Sequence, residues 1–165
     1  MKHNIVLLSG EAQSGKTTLL QSFCKTYSNT GGLLTPVVNG KRKFYNIRTK
    51  EVFNMEAFEE EEQLYVGKYI FSAAAFKKGA SQLLAASKQN ENQYLIVDQV
   101  GPLEIRLQEG FYAVLREILQ SGLHKTLILA VRPSLIKELQ LLPGLQETLL
   151  LSIAGCKDYF RLKTR

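Results

Sequence analysis

A short segment near the amino end constrains this chain more than any other. Gly10-Glu11-Ala12-Gln13-Ser14-Gly15-Lys16-Thr17 fits the spacing G-x-x-x-x-G-K-[ST], and Thr18 follows. Phosphoryl oxygens need several converging donors, and a glycine-bearing turn supplies bare N–H groups with no side chains in the way. A helix opening near Lys16 adds its own unpaired N–H groups and the positive end of its dipole. The segment follows Ile5-Val6-Leu7-Leu8, an apolar run of the kind found in strands buried on both faces. It precedes Leu20, Phe23, Cys24 and Tyr27 at helical spacing. Strand, phosphate loop and helix are therefore predicted through Tyr27. In that arrangement Gly10 to Thr18 hold a polyphosphate, Lys16 bridges the β- and γ-phosphates, the Thr17 hydroxyl ligates Mg²⁺ and Thr18 touches the α-phosphate.

Downstream, Gly31-Gly32 reads as punctuation and Leu33 to Val38 as a second strand. Asn39-Gly40 then predicts a two-residue hairpin into Lys41 to Ile47, because both residues tolerate positive φ. Val52-Phe53 adds a strand after a turn at Thr49-Lys50. Ser72 caps a helix bearing Phe76, Ala80, Leu83 and Leu84. Tyr94 to Val97 and Thr126 to Val131 are further buried strands. Between them Phe111, Val114, Leu115, Ile118 and Leu119 form an amphipathic helix closed by Gly122. Ser134 opens a short helix ending before Pro143-Gly144, and Leu149 to Ile153 is the last strand. The expected fold is α/β: a mostly parallel, doubly wound P-loop sheet with helices on both faces and an antiparallel hairpin insertion, residues 1–165 forming one domain.

A phosphate loop needs a carboxylate across the site to hold the magnesium hydration shell. Asp98 ends the strand Tyr94 to Val97, where ligands gather in open α/β sheets. The next residue is Gln99, which can orient a water by hydrogen bonding but cannot take its proton. General-base assistance is worth ~10²–10⁴ in rate, so slow or differently assisted hydrolysis is expected. Glu104, beyond Gly101-Pro102, is the nearest replacement candidate, and a solvated loop position is the competing reading. Arg132, directly after the strand Thr126 to Val131, is placed to stabilise charge on a transferring phosphoryl group, or else is an ordinary surface arginine. Lys68 reads as a solvated lysine in preference to a phosphate contact, His3 and His124 lack ligand spacing, and Cys24 lies on an apolar helix stripe.

Composition excludes other classes. With 45% hydrophobic and 22% charged residues, the chain is neither disordered nor fibrous. Two cysteines make no disulfide framework. No apolar run approaches a membrane span or a signal-peptide core, so a cytoplasmic protein without a membrane partner is expected. The net charge, 21 − 15 = +6, suits anionic partners. Its cations are scattered, as in Lys41-Arg42-Lys43 and the tail Lys157, Arg161, Lys163 and Arg165, and Glu59 to Glu62 interrupts them. Without interleaved aromatics this pattern points to nucleotides rather than nucleic acid, and it identifies no protein partner.

Gly10 to Thr18, Gly31-Gly32-Leu33-Leu34-Thr35, Val66-Gly67-Lys68-Tyr69 and Val97-Asp98-Gln99-Val100-Gly101-Pro102-Leu103-Glu104 occur in a characteristic order. Together they resemble the small P-loop nucleoside-triphosphatases of the thermophile and human cancer-related type, which look similar to nucleotide kinases. The resemblance covers most of the chain. It implies magnesium-dependent hydrolysis of ATP, GTP and other nucleoside triphosphates, phosphate binding at Gly10 to Thr18, magnesium at Thr17 and Asp98, and a functional Glu104. The family commonly has Asp-Glu where this chain has Asp98-Gln99, and a glutamate and an arginine where Pro36, Val37, Val38 and Asn39 follow Thr35.

Three functions follow in order of support: a nucleoside-triphosphatase, a nucleotide-binding switch with little turnover, and a kinase acting on a small acceptor. No residue reads as a contact specific for one base.

Overall fold

The computed structural model describes residues 4–58, 60–121 and 125–162. In chain order the elements are β1 (Ile5–Ser9), α1 (Lys16–Thr26), β2 (Thr30–Leu34), β3 (Val37–Val38), β4 (Lys41–Asn46), β5 (Val52–Asn54), β6 (Gln63–Val66), β7 (Tyr69–Ser72), α2 (Ala73–Lys88), β8 (Tyr94–Val97), α3 (Pro102–Ile105), α4 (Tyr112–Gln120), β9 (Thr126–Val131), α5 (Ile136–Leu139), β10 (Leu149–Ser152) and α6 (Ile153–Tyr159). A 3₁₀ turn over Pro133–Leu135 leads into α5. Glu59, Gly122, His3, His124, Lys163 and Arg165 lie outside the described residues.

Among the described residues, an eight-stranded sheet runs β10-β1-β9-β8-β2-β4-β3, with β5 paired to β4. The strands from β10 to β2 are parallel; β4, β3 and β5 join antiparallel. Alternation along the strands fills two apolar layers. Leu7, Leu95, Val97, Leu127 and Leu129 face the layer that includes Leu83 of α2 and Ile118 of α4. Val6, Leu8, Ile96, Ile128 and Ala130 face Leu20 and Phe23 of α1 and Cys156 of α6. Helices therefore cover both faces, as a buried parallel sheet requires. No helix among the described residues is long and apolar enough to cross a membrane.

The expected strand over Leu33 to Val38 is instead two strands, β2 and β3, with Thr35-Pro36 between them. Proline has no N–H to give a ladder. Gly31 and Gly32 do not end a segment but lie inside β2, paired with Leu95 and Ile96 of β8. Gly32 has φ +114°, and a Cβ there would stand 2.1 Å from the Ile96 carbonyl oxygen. The glycine is thus demanded by a close backbone approach between neighbouring strands.

Asn39 and Gly40 take φ of 53° and 77°, and Val38 pairs with Lys41 across them, which is the predicted hairpin. Ser72 Oγ accepts from the Ala75 N–H at 3.1 Å, capping α2 as expected. A second hairpin, β6–β7, is turned by Gly67 and forms its own two-stranded sheet. Its Phe71 packs 5.7 Å from Phe76 of α2. That hairpin and α6 have no counterpart in the sequence reading.

Candidate functional site

The carboxyl ends of β1, β8 and β2 meet at one cleft, and each delivers part of it. Beyond β1 the chain turns through Gln13 (φ 59°) and Gly15 (φ 98°) into α1. At Gly10 a Cβ would lie 2.5 Å from Ser14 Oγ and 3.2 Å from Lys16 Cγ, so any side chain there would displace both of these loop side chains. Lys16 curls back so that its ammonium donates to the carbonyls of Gly10 at 2.5 Å and Glu11 at 2.7 Å. Burial pulls this ammonium below the ordinary lysine range; Arg132 and Arg42 push the same way, while Asp98 and Glu11 oppose them.

At the end of β8, Asp98 is buried. Its Oδ2 accepts from Thr17 Oγ1 at 2.7 Å and from the Thr35 N–H at 2.9 Å. The Asp98 N–H donates to the Leu33 carbonyl at 3.1 Å, fixing the strand end against β2. The first turn of α1, the end of β8 and the end of β2 thus converge on one carboxylate oxygen.

The resulting cleft has a volume of about 360 Å³ and is lined by Ala12 to Thr18, Gln21, Thr35 to Val37, Arg42, Asp98 and Gln99. The sequence-predicted residues from Ala12 to Thr18 therefore come together with Asp98 and Gln99. Gly10 and Glu11 hold the loop from behind through their carbonyls. Two buried oxygens on this cleft, Thr35 Oγ1 and Gln99 Oε1, have no hydrogen-bond partner, which fits a polar occupant. Among the described residues no group of three or more His, Cys, Asp or Glu is placed to hold a metal ion. One hydroxyl beside one carboxylate is instead the sparse oxygen set that suits Mg²⁺, which keeps waters and shares phosphate oxygens. The residues present fit a metal–polyphosphate.

Gln99 takes φ +78°, in the left-handed region that non-glycine residues rarely adopt. It borders the cleft and also a smaller cavity of about 70 Å³ behind it, as does Arg42. Arg132 and Glu104 line that inner cavity and not the main cleft.

Glu104 is not a solvated loop residue: it is 3% exposed. Its Oε2 accepts from the Gly101 N–H at 3.0 Å and its Oε1 from the Phe111 N–H at 3.3 Å, bracing α3 against the start of α4. Burial pushes its carboxyl up to about 7, against the opposing pull of those N–H groups. Lys68 is exposed, in the turn of β6–β7, 5.4 Å from the Tyr69 ring centre.

In the sequence Arg42 reads as part of a scattered charge cluster and Thr35 as the end of a motif, neither with a site role of its own. Arg42 shares the β4 face of buried Phe44 and Asn46, a placement that period-two alternation from the Asn39-Gly40 turn could have indicated. Its Nη1 donates to the Thr35 carbonyl at 3.3 Å.

Solved structures share this architecture. The structure of THEP1 from the hyperthermophile Aquifex aeolicus superposes with a TM-score of 0.68 at 19% identity, covering 93% of this chain and 91% of that one. A human cancer-related nucleoside triphosphatase gives 0.67 at 16% identity, covering 92% and 88%. Curated proteins give no match. Matched over residues 5–150, from the first strand through the loop and cleft to the last strand, the chain belongs to the NTPase family.

Proposed function

We propose that this chain is a magnesium-dependent nucleoside-triphosphatase, taking ATP or GTP and releasing the diphosphate and phosphate slowly. The observation that carries this is the Thr17–Asp98 hydrogen bond of 2.7 Å at the mouth of the phosphate loop. The loop N–H groups and the start of α1 bind the β- and γ-phosphates. Lys16 exchanges its two loop carbonyls for phosphate oxygens and neutralises charge there, a partner that compensates its partial burial. Thr17 and Asp98 would hold Mg²⁺, which when bound supplies electrostatic stabilisation to the phosphate oxygens. Gln99 orients the attacking water but leaves its proton with solvent or a phosphate oxygen. The water oxygen bonds to the γ-phosphorus as the bridging P–O bond to the β-phosphate breaks. Arg42, at the cleft wall, adds positive charge on that side.

A second reading, a nucleotide-binding switch with little turnover, is favoured by the same Gln99. Single-turnover phosphate release from Mg·ATP and Mg·GTP separates the two. Release within minutes supports the hydrolase; tight binding with no release supports the switch. Release that requires an added hydroxyl acceptor, which becomes phosphorylated, identifies a kinase and overturns both.

A further inference from the structure

Behind Gln99 lies the inner cavity of about 70 Å³. Its walls are largely apolar, with Met55, Phe71 and Phe76 among them, yet two arginines, Arg42 and Arg132, also line it. Both arginines are half-buried. Among the described residues no carboxylate forms a salt bridge to either. Two like charges partly withdrawn from water around one small space repel each other and favour an anion between them.

Gln99 adds a second indication. It lines both the cleft and this cavity, and its Oε1 makes no hydrogen bond, so no partner holds the amide against turning over. A half-turn of the amide would present its NH₂ to an anion. A neutral side chain here, next to Asp98, also avoids a second negative charge at the entrance. The single carboxylate in the lining, Glu104, has both oxygens engaged by the Gly101 and Phe111 N–H groups.

Size limits the occupant. One water needs about 10–15 Å³ on this measure, so the cavity takes about five water-sized groups. That matches one tetrahedral oxyanion and excludes a nucleoside.

The geometry points to a separate oxyanion site in this cavity, taking free orthophosphate while a nucleoside diphosphate occupies the main cleft. The inference borrows from the proposed function only the identity of the neighbouring ligand. Its test is isothermal titration of orthophosphate into protein saturated with Mg·ADP. One phosphate per chain is expected. Arg132→Gln removes a charge from this cavity's lining without altering any residue that lines the main cleft, and should weaken phosphate by about tenfold or more. Val66→Phe, which adds bulk to the cavity wall and leaves the charges in place, should do the same with Mg·ADP affinity within about twofold. Unchanged phosphate affinity in both variants, or no phosphate bound by a protein that does bind Mg·ADP, overturns the site and leaves the cleft reading intact. Failure of Mg·ADP to bind overturns the cleft reading instead. Orthophosphate titrated into the nucleotide-free protein and the same variants then decides the inner site by the same criterion.

Discussion

The Thr17 hydroxyl donates to the Asp98 carboxylate at 2.7 Å, joining the first turn of α1 to the end of β8 across 81 positions of sequence. A hydroxyl and a carboxylate in contact at the end of a phosphate loop are an oxygen pair of the kind that suits a hard cation shared with phosphate. Asp98→Asn and Thr17→Ala should therefore remove the metal dependence of nucleotide binding. Titrations of ADP with magnesium and with chelator check this. The wild type should bind more tightly with magnesium, and the variants should bind alike in both conditions.

Gln99→Glu places a proton acceptor where the amide now borders the cleft. Turnover should rise by at least ~10-fold if the missing base limits the rate. Phosphate release at saturating Mg·ATP reads it directly; an unchanged or lower rate assigns the limit to another group.

Glu104 links pH to stability. Its folded-state carboxyl is raised from 4.5 to about 7 by burial, so below pH 4.5 both folded and unfolded states hold the proton. Between pH 4.5 and 7 the unfolded chain releases it first, and stability falls as pH rises through that window. The loss is on the order of 3 kcal/mol. Urea unfolding at pH 5 and pH 8 should show this loss in the wild type and a flatter profile in Glu104→Gln, which cannot ionise. Equal slopes would contradict the assignment.

Gly32→Ala should be severely destabilising, by about 3 kcal/mol or more, because the Cβ meets the Ile96 carbonyl in a backbone conformation that alanine resists. Gly40→Ala, at a turn with open space but positive φ, should cost only about 1 kcal/mol. Comparing the two melting temperatures separates close strand packing from turn strain.

Local rules made much of this legible. The apolar runs of β1, β8 and β9, the loop spacing and the Asn39-Gly40 turn each declare themselves within a few residues. Asp98 followed because a strand end is a position that ligands use. What escaped depends on distant neighbours. Gly31-Gly32 reads as a break unless β8 is known to press against it. Glu104 reads equally as a functional carboxylate or a solvated loop residue, because nothing nearby in sequence shows that the Phe111 N–H, at the start of the next helix, joins that of Gly101 in holding it buried. Arg132 reads either as a phosphoryl-stabilising or as an ordinary surface arginine; it is half-buried and lines the inner cavity, to which Val66, Tyr69 and Phe71 of the β6–β7 hairpin contribute, a hairpin that no strong period announced.

The most direct measurement is equilibrium binding of a nonhydrolysable triphosphate, with magnesium, to the wild type and to Lys16→Ala. The wild type should bind one molecule per chain, and the variant should bind at least about tenfold more weakly while remaining folded. Equal affinity in the two proteins, or no binding by the wild type, would contradict a polyphosphate grip by the loop at Gly10 to Thr18.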